Sequence, residues 1–415
     1  MSLDIQSVRS RFPALQETVD GKQVVFLDNP AGTQMPQQVI DAITDCLVHY
    51  NVNTEVPYGP GDRVTAMTQE ARRAAAEFLG SETPNEIAFG NNMTSLAVLL
   101  SRSLVHEIKP DDEIVVSHME HDGNVGPWVL MAEDAGATVR WIDIDPVTYA
   151  IDVEDAAVKI TPKTKFVALS YAGNGTGSIN DVSSVIRLAK AQGAWTFIDA
   201  VQYAPHGLVD VTALDCDFLS CSAYKFYGTH VGILYGKQEL MKNLRAYTVR
   251  PSLSKVPSRW EPGTKNYEGL VGVLAAIDYI AEQGVLYGGA TSDAGRRDKL
   301  KAAWPVLAAY EQQLAEHLVD GLQAIPGVQI YGIANREDMA KRVATVSFRK
   351  EGCTPQQLTE TLGAEQIGSR CGDYLAVALI DRLGLQDSGG LTRLGPVHYN
   401  TTAEIDRALE VIESA

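Results

Sequence analysis

Short apolar segments alternate with helical segments between residues 86 and 236 of this 415-residue chain, and this alternation constrains the fold more than any other feature. Each apolar segment ends in polar or glycine-rich residues. The β-branched and aromatic content of these segments, with helical patterns between them, predicts βα units that form a mainly parallel sheet. The segments are EIAFGNN (86–92), DEIVVSHMEHDGN (112–124), TKFVALSYAGNGTG (164–177), WTFIDAVQ (195–202), DFLSCSAYKFYG (217–228) and GILYG (232–236).

The pattern changes after residue 285. An amphipathic helix over residues 299–324 precedes GVQIYGI and RVATVSFRK, which are typical of strands in an α+β domain. The stretch 284–297 is rich in glycine and polar residues and marks a boundary. Because one hydrophobic core serves at most roughly 250–300 residues, we expect a large domain over 22–290 and a smaller one built from 1–21 and 291–415.

The formal net charge of −17 excludes the basic surface that nucleic acid or an anionic membrane requires. A small zwitterionic or anionic substrate is still compatible with a few arginines in a local pocket. The five cysteines show no metal-ligand spacing, and the N-terminus lacks a signal-like apolar stretch, so we expect a cytoplasmic protein with reduced thiols. His118, Glu120 and His121 also admit a metal site, but no further cluster has matching spacing.

Polar residues that close the apolar segments are the first candidates for chemistry, because ligands bind beyond the carboxyl ends of parallel strands. A lysine at the mouth of a buried sheet is desolvated, which lowers its pKa and favours the neutral amine that forms a Schiff base. A nearby carboxylate suits a protonated pyridine nitrogen. Lys225 and Asp199 fit these roles, although the pattern alone also admits a surface lysine and a helix N-cap. The closing residues are Thr94, His121, Asn174, Asp199 and Lys225.

Several motifs resemble those of class V aminotransferases, specifically the cysteine desulfurase-like branch of the fold-type I pyridoxal-phosphate enzymes. They are LDNPAGTQMP (27–36), FIDAVQYAPH (197–206), FLSCSAYKFYG (218–228) and LGPVHYNT (394–401), which occur in the family's order across nearly the whole chain. The resemblance implies a mainly parallel seven-stranded sheet between helices, a smaller α+β C-terminal domain, pyridoxal 5'-phosphate as cofactor and an amino acid as substrate. It also implies a homodimer with shared active sites.

The resemblance assigns roles to individual residues. Lys225 would form the Schiff base, Asp199 would face the ring nitrogen, and His121 would stack on the ring. Other expected cofactor contacts are Asn174, Gln202, Thr94, Ser222 and, from the neighbouring subunit, Thr264, and the expected substrate contacts are Arg393, Arg370 and Asn29.

Two positions depart from the desulfurase pattern. Leu375 stands where those enzymes carry the cysteine that attacks the substrate sulfur, and leucine is not a nucleophile. Tyr224 replaces the usual histidine before the lysine, and with an ordinary pKa near 10 it suits the role of a proton or hydrogen-bond donor. Cys371 is close in sequence, but its register differs from that of the missing cysteine.

We therefore expect Cα deprotonation followed by β-elimination, the reaction of a C–S lyase. The alternatives are a cysteine desulfurase with a displaced nucleophile, and an epimerase, aminotransferase or bond-forming enzyme of specialised metabolism. A non-catalytic interaction protein with this fold is a more remote alternative, because a binding module has no need of Lys225, Asp199, His121 and Arg393 together.

Overall fold

The computed structural model describes residues 3–415, and a seven-stranded sheet forms its centre. Only the strand Gly232–Gly236 runs against the others, so the predicted mainly parallel sheet is confirmed. The strands lie in the spatial order Ile87–Gly90, Gly232–Gly236, Phe218–Ser222, Trp195–Asp199, Thr164–Ser170, Glu113–Ser117 and Thr138–Ile142.

The inner strands are almost wholly buried because both faces of the sheet are covered. Alternate residues enter opposite cores: Val115 and Ile198 pack on one side, and Ile114 and Phe197 on the other. The first core also receives the helices Gly59–Leu79, Val182–Ala191 and Tyr267–Leu286, and the second receives Met93–Leu104 and Gly126–Ala135.

Helix Tyr267–Leu286 is long and apolar enough to cross a membrane by length and composition, but 67% of its most apolar window is buried inside the protein. Its residues Tyr279 and Ile280 are fully buried in the first core. The same composition is expected of a helix in the interior of a large domain, and we read it in that way.

A second, antiparallel sheet of four strands lies in the C-terminal part, in the order Val328–Tyr331, Val346–Lys350, Leu391–Leu394 and Arg370–Gly372. The predicted long helix spans Arg296–Ala324 and packs on this sheet through Leu314 and Leu318. The predicted α+β character of this region is confirmed. Its other helices are Pro355–Ala364, Val377–Arg382 and Thr402–Ser414, and the remaining α-helices of the described chain are Ile5–Arg9, Gln37–His49, Val153–Lys159, Val211–Leu214 and Gln238–Asn243.

The N-terminal segment crosses between the two cores. Phe12 packs in the core of the large sheet, whereas Val25 and Leu27 pack in the C-terminal core because the strand Val25–Phe26 pairs with Ile367–Gly368. The predicted domain limits stay a prediction. They assign residues 1–21 to the smaller domain and residues after 22 to the larger one, whereas Phe12 packs with the large sheet and Val25 packs with the C-terminal core. The crossing carries residues 28–33 to the carboxyl edge of the large sheet, where Thr33 N donates to Tyr224 O at 3.1 Å.

Candidate active site

A cavity of about 750 Å³ opens at the carboxyl edge of the large sheet, between this sheet and the C-terminal region. Neighbouring strands end together there, since Ser170, Asp199 and Ser220 are paired in register. The cavity brings together all the predicted site residues except Asn29 and Thr264. Those that line it are Thr94, His121, Asn174, Asp199, Gln202, Ser222, Tyr224, Lys225, Arg370 and Arg393.

Lys225 ends the turn Ala223–Lys225, directly after the strand Phe218–Ser222. Burial lowers the pKa of its amine to about 7, and the positive charge of Arg393 acts in the same direction. Nζ donates to Pro30 O, so the N-terminal crossing segment holds the amine in place. A large fraction of this amine is neutral at pH 7, the form that attacks a carbonyl carbon.

Asp199 is the last residue of the strand Trp195–Asp199 and is only 4% exposed. Burial raises the pKa of its carboxyl to about 7, and the nearby Glu120 contributes in the same direction. Val201 N donates to Asp199 Oδ1 at 2.8 Å and fixes its orientation. A cation placed against this carboxyl would bring its pKa back down, so the site is suited to a protonated ring nitrogen.

His121 presents a neutral imidazole to the cavity. Burial lowers its pKa to about 4, assisted by the charges of Lys225 and Arg393. Gly123 N donates to His121 Nδ1 at 2.9 Å, which leaves the proton on Nε2. A flat, uncharged ring is suited to stacking on another aromatic ring.

The start of helix Met93–Leu104 forms one wall and is suited to a phosphate group. Met93 N donates to Ser222 Oγ at 3.0 Å, which joins this helix to the strand that precedes Lys225. The contact depends on close packing, because a Cβ on Gly232 would lie 2.5 Å from the carbonyl carbon of Asn92. Thr94 adds a hydroxyl to the same wall.

Three buried polar atoms on cavity-lining residues have no hydrogen-bond partner among the described residues: Asn174 Oδ1, the Tyr374 hydroxyl and Arg393 Nε. Buried polar atoms are rarely left in this state. They add to three groups already described: the helix start suits a phosphate, the partly neutral amine of Lys225 suits an aldehyde, and the carboxyl of Asp199 suits a ring nitrogen. The residues present therefore fit pyridoxal phosphate.

Arg393 lies in the strand Leu391–Leu394, is 2% exposed, and donates from Nη1 to Asn174 O at 3.0 Å. Arg370 pairs with it across two antiparallel strands, so both guanidinium groups are on the cavity face. Asp28 lies between them, with Oδ1 at 3.3 Å from Arg393 Nη2 and Oδ2 at 2.9 Å from Arg370 Nη2.

The strand register also decides where Cys371 points. It pairs with Thr392, so its side chain is on the face opposite Arg370. Its thiol donates to Gln356 Oε1 at 3.2 Å, away from the cavity that its backbone borders. Leu375 lines the cavity with a side chain that is 57% exposed.

Two predicted contacts are not at the cavity. Asn29 Nδ2 donates to Phe26 O and Gly395 O at 2.9 and 2.8 Å, and its Oδ1 accepts from the hydroxyl of Tyr399. Its amide is used in this buried network and does not line the cavity, so its substrate contact stays a prediction. Thr264 lines a separate cavity of about 360 Å³, and within one subunit it does not reach the first cavity.

Several charged or aromatic residues at the site escaped the sequence prediction. His230, Asp373 and Tyr374 line the cavity, and Asp28 contacts the lining residues Arg370 and Arg393. The ring of His230 stacks on Tyr224 with centroids 4.9 Å apart, and the Tyr374 ring lies 4.4 Å from the Arg393 guanidinium carbon. Asp28 is inside the quoted motif LDNPAGTQMP, so a charged residue in that motif was the available signal. Among the described residues no group of three or more metal-ligating side chains occurs.

Sequence and structure comparisons identify proteins that are similar to this chain. A sequence model described as aminotransferase class-V matches residues 25–291 and 302–408. A probable cysteine desulfurase of Streptomyces coelicolor is 31% identical over 99% of this chain and 97% of its own length. A probable cysteine desulfurase of Mycolicibacterium paratuberculosis is 32% identical over 99% of this chain, which spans only 58% of that longer protein. The apo structure of a cysteine desulfurase from Thermococcus onnurineus has a TM-score of 0.88 at 27% identity and covers 100% of this chain and 98% of its own.

Proposed function

Because this chain belongs to the class V aminotransferase family, we propose that it is a pyridoxal-phosphate enzyme that breaks a C–S bond in an amino acid by elimination from Cβ. The observation that carries the proposal is the cavity itself: a lysine with a pKa of about 7, a buried carboxyl and a buried arginine share one space, and no thiol of the described residues points into it. The names of the relatives support the alternative, cysteine desulfurase, more than elimination specifically.

The cofactor, when bound, supplies an electron sink for the negative charge that develops at Cα. Asp199 would face its ring nitrogen, His121 would stack on its ring, and the helix terminus with Thr94 and Ser222 would hold its phosphate. Asn174 and Gln202 would lie near its phenolic oxygen, and Gln202 itself is oriented by donating to Thr345 Oγ1 at 2.7 Å.

Arg393 binds and orients the substrate carboxylate, since a guanidinium group matches a carboxylate with two hydrogen bonds. The Lys225 amine then takes the Cα proton, which positions a general base at the reacting atom. Burial raises the pKa of Tyr224, so its phenol stays protonated and can donate to the departing sulfur. The C–S bond breaks with its electron pair on sulfur, and addition of one water yields a thiol, a keto acid and ammonium.

A cysteine desulfurase is the second candidate, favoured by the relatives. It requires a cysteine that attacks the substrate sulfur, and Cys371 is the cysteine that borders the cavity. That route needs the strand Arg370–Gly372 to turn over, because Cys371 faces Gln356. The predictions of a cytoplasmic homodimer that binds neither nucleic acid nor membrane stay predictions.

The experiment that separates the two candidates uses holoenzyme and its Cys371→Ser variant with a panel of sulfur-containing amino acids. We expect keto acid and free thiol or sulfide in equal amounts, no protein-bound persulfide, and turnover within about twofold of wild type in Cys371→Ser, because the thiol is outside the cavity. Cys353→Ser, another partly buried cysteine, is the matched control. Loss of turnover in Cys371→Ser alone, with cofactor binding retained, would replace elimination by desulfuration.

A further inference from the structure

Asp28 places a carboxylate inside the arginine pair that the proposed function needs for substrate. Its side chain is 21% exposed, against 3% for Arg393 and 51% for Arg370. The three residues come from two distant parts of the chain. Arg370 and Arg393 are paired across neighbouring strands. Asp28 belongs to the N-terminal crossing segment and forms an isolated β-bridge with Gly395.

The carboxylate is shared unequally between the two arginines. Arg370 approaches Asp28 Oδ2 with Nε at 3.0 Å and Nη2 at 2.9 Å, whereas Arg393 approaches Oδ1 with Nη2 alone at 3.3 Å. Arg393 Nε has no partner among the described residues. Asp28 therefore pairs mainly with Arg370, and the buried guanidinium of Arg393 keeps an incompletely matched charge and a free donor at Nε.

We infer that Asp28 and Arg370 set the substrate class of this cavity to amino acids with a single carboxylate, an inference that rests on the proposed function. The cluster carries one negative and two positive charges, so one further carboxylate makes it neutral. A second carboxylate on the substrate would find Arg370 already paired and Asp28 beside it. Asp373, which lines the cavity, adds to this repulsion.

This assignment changes the role expected of Arg370. Arg370 was expected to contact the substrate, whereas the geometry makes it a positioning residue that takes the closer two-point contact with Asp28 and leaves Arg393 the longer one. Without Asp28 the cavity would present two unpaired guanidinium groups, an arrangement suited to dicarboxylic amino acids.

The test measures the binding of propionate and succinate to holoenzyme through changes in the cofactor's absorption band. Both lack an amino group, so they report carboxylate binding without turnover. We expect wild type to bind succinate no more tightly than propionate, and Asp28→Asn to shift this preference toward succinate by about tenfold, because Arg370 becomes free. Asp28→Glu should keep the wild-type preference.

Asp143→Asn is the matched control, because Asp143 forms an equivalent two-point pair with Arg382 at 2.8 Å outside the cavity lining. Arg370→Gln gives an independent reading: Asp28 should then compete for Arg393, and propionate affinity should fall by about threefold to tenfold. An unchanged preference in Asp28→Asn, or unchanged propionate affinity in Arg370→Gln, overturns the inference and leaves the proposed function standing. If Arg393→Lys changes neither propionate binding nor turnover, the proposed function fails as well.

Discussion

The chemistry of the cavity depends on how burial alters individual side chains. Lys225 and Asp199 both have pKa values of about 7, one lowered and one raised, and burial is the largest cause of each shift. Desolvation disfavours the charged form of either group. Exposed lysine and aspartate side chains have pKa values far above and far below neutrality. Here burial brings both pKa values into the same range, which suits proton exchange near neutral pH.

The lowered pKa of Lys225 leads to a measurable pH dependence. Capture of pyridoxal phosphate by the apo protein, trapped with borohydride, should increase through pH 7 and level off above it, because only the neutral amine attacks. An ordinary lysine has its pKa at 10.5, so its capture rate would continue to rise to that range. Mass spectrometry should place the label on Lys225, and the exposed Lys109 is the internal control. A rate still rising at pH 10, or a label elsewhere, contradicts the assignment.

At the level of elements, the loop after the strand Glu113–Ser117 carries His121 and is held by the fully buried Glu120. Its carboxyl accepts from Ser117 Oγ at 2.5 Å, Asn124 Nδ2 at 2.6 Å and Ser170 Oγ at 2.5 Å. Ser170 ends a neighbouring strand, so this network ties two strand ends and a helix entrance together. The position of the imidazole depends on it.

Glu120→Ala should lower the free energy of unfolding by about 2–4 kcal/mol, because it leaves buried donors without an acceptor. Glu120→Gln should cost less, since the two serine hydroxyls can rotate and accept from the new amide. Urea denaturation measures both, and the exposed Glu82→Ala is the control. A cost for Glu120→Ala no larger than that of Glu82→Ala would show that the network does not stabilise the fold.

At the level of the whole molecule, Thr264 is the predicted site residue that depends on a dimer. This residue lines a second cavity with Asn91, which also lines the first. The prediction is that a partner subunit brings its own Thr264 to the first cavity. Large apolar side chains exposed on one subunit, among them Val98 and Val249, are candidates for burial in such an interface.

We predict an obligate dimer that buries of order 2,000 Å² or more. Thr264→Ala and Lys225→Ala subunits should each fail to give a normal site, whereas an equal mixture, dissociated and reassembled, should regain about a quarter of the normal sites. Analytical ultracentrifugation and cofactor titration measure the two quantities. A monomer that keeps cofactor and full activity refutes the prediction, and so does a mixture that regains nothing although both variants form dimers.

Much of the fold could be read from the chain because it depends on local periodicity. Apolar segments such as TKFVALS and WTFID must form strands that are buried on both faces, and their polar ends must meet at one edge. Lys225, Asp199, His121, Asn174 and Thr94 could be predicted in this way. It needed only the spacing of residue types along the backbone.

Local periodicity carries no information on which distant side chains meet, and the tertiary structure decided those contacts. Asp28 meets Arg370 across 342 positions of the chain, Asn29 is used in a buried network, and His230 lies on Tyr224. The register between two short strands turns Cys371 away from the cavity, although one position along the chain would have turned it inward. The sequence by itself thus determined the strands and the chemistry at their ends, whereas packing between the two cores determined which charges remain unpaired for a substrate.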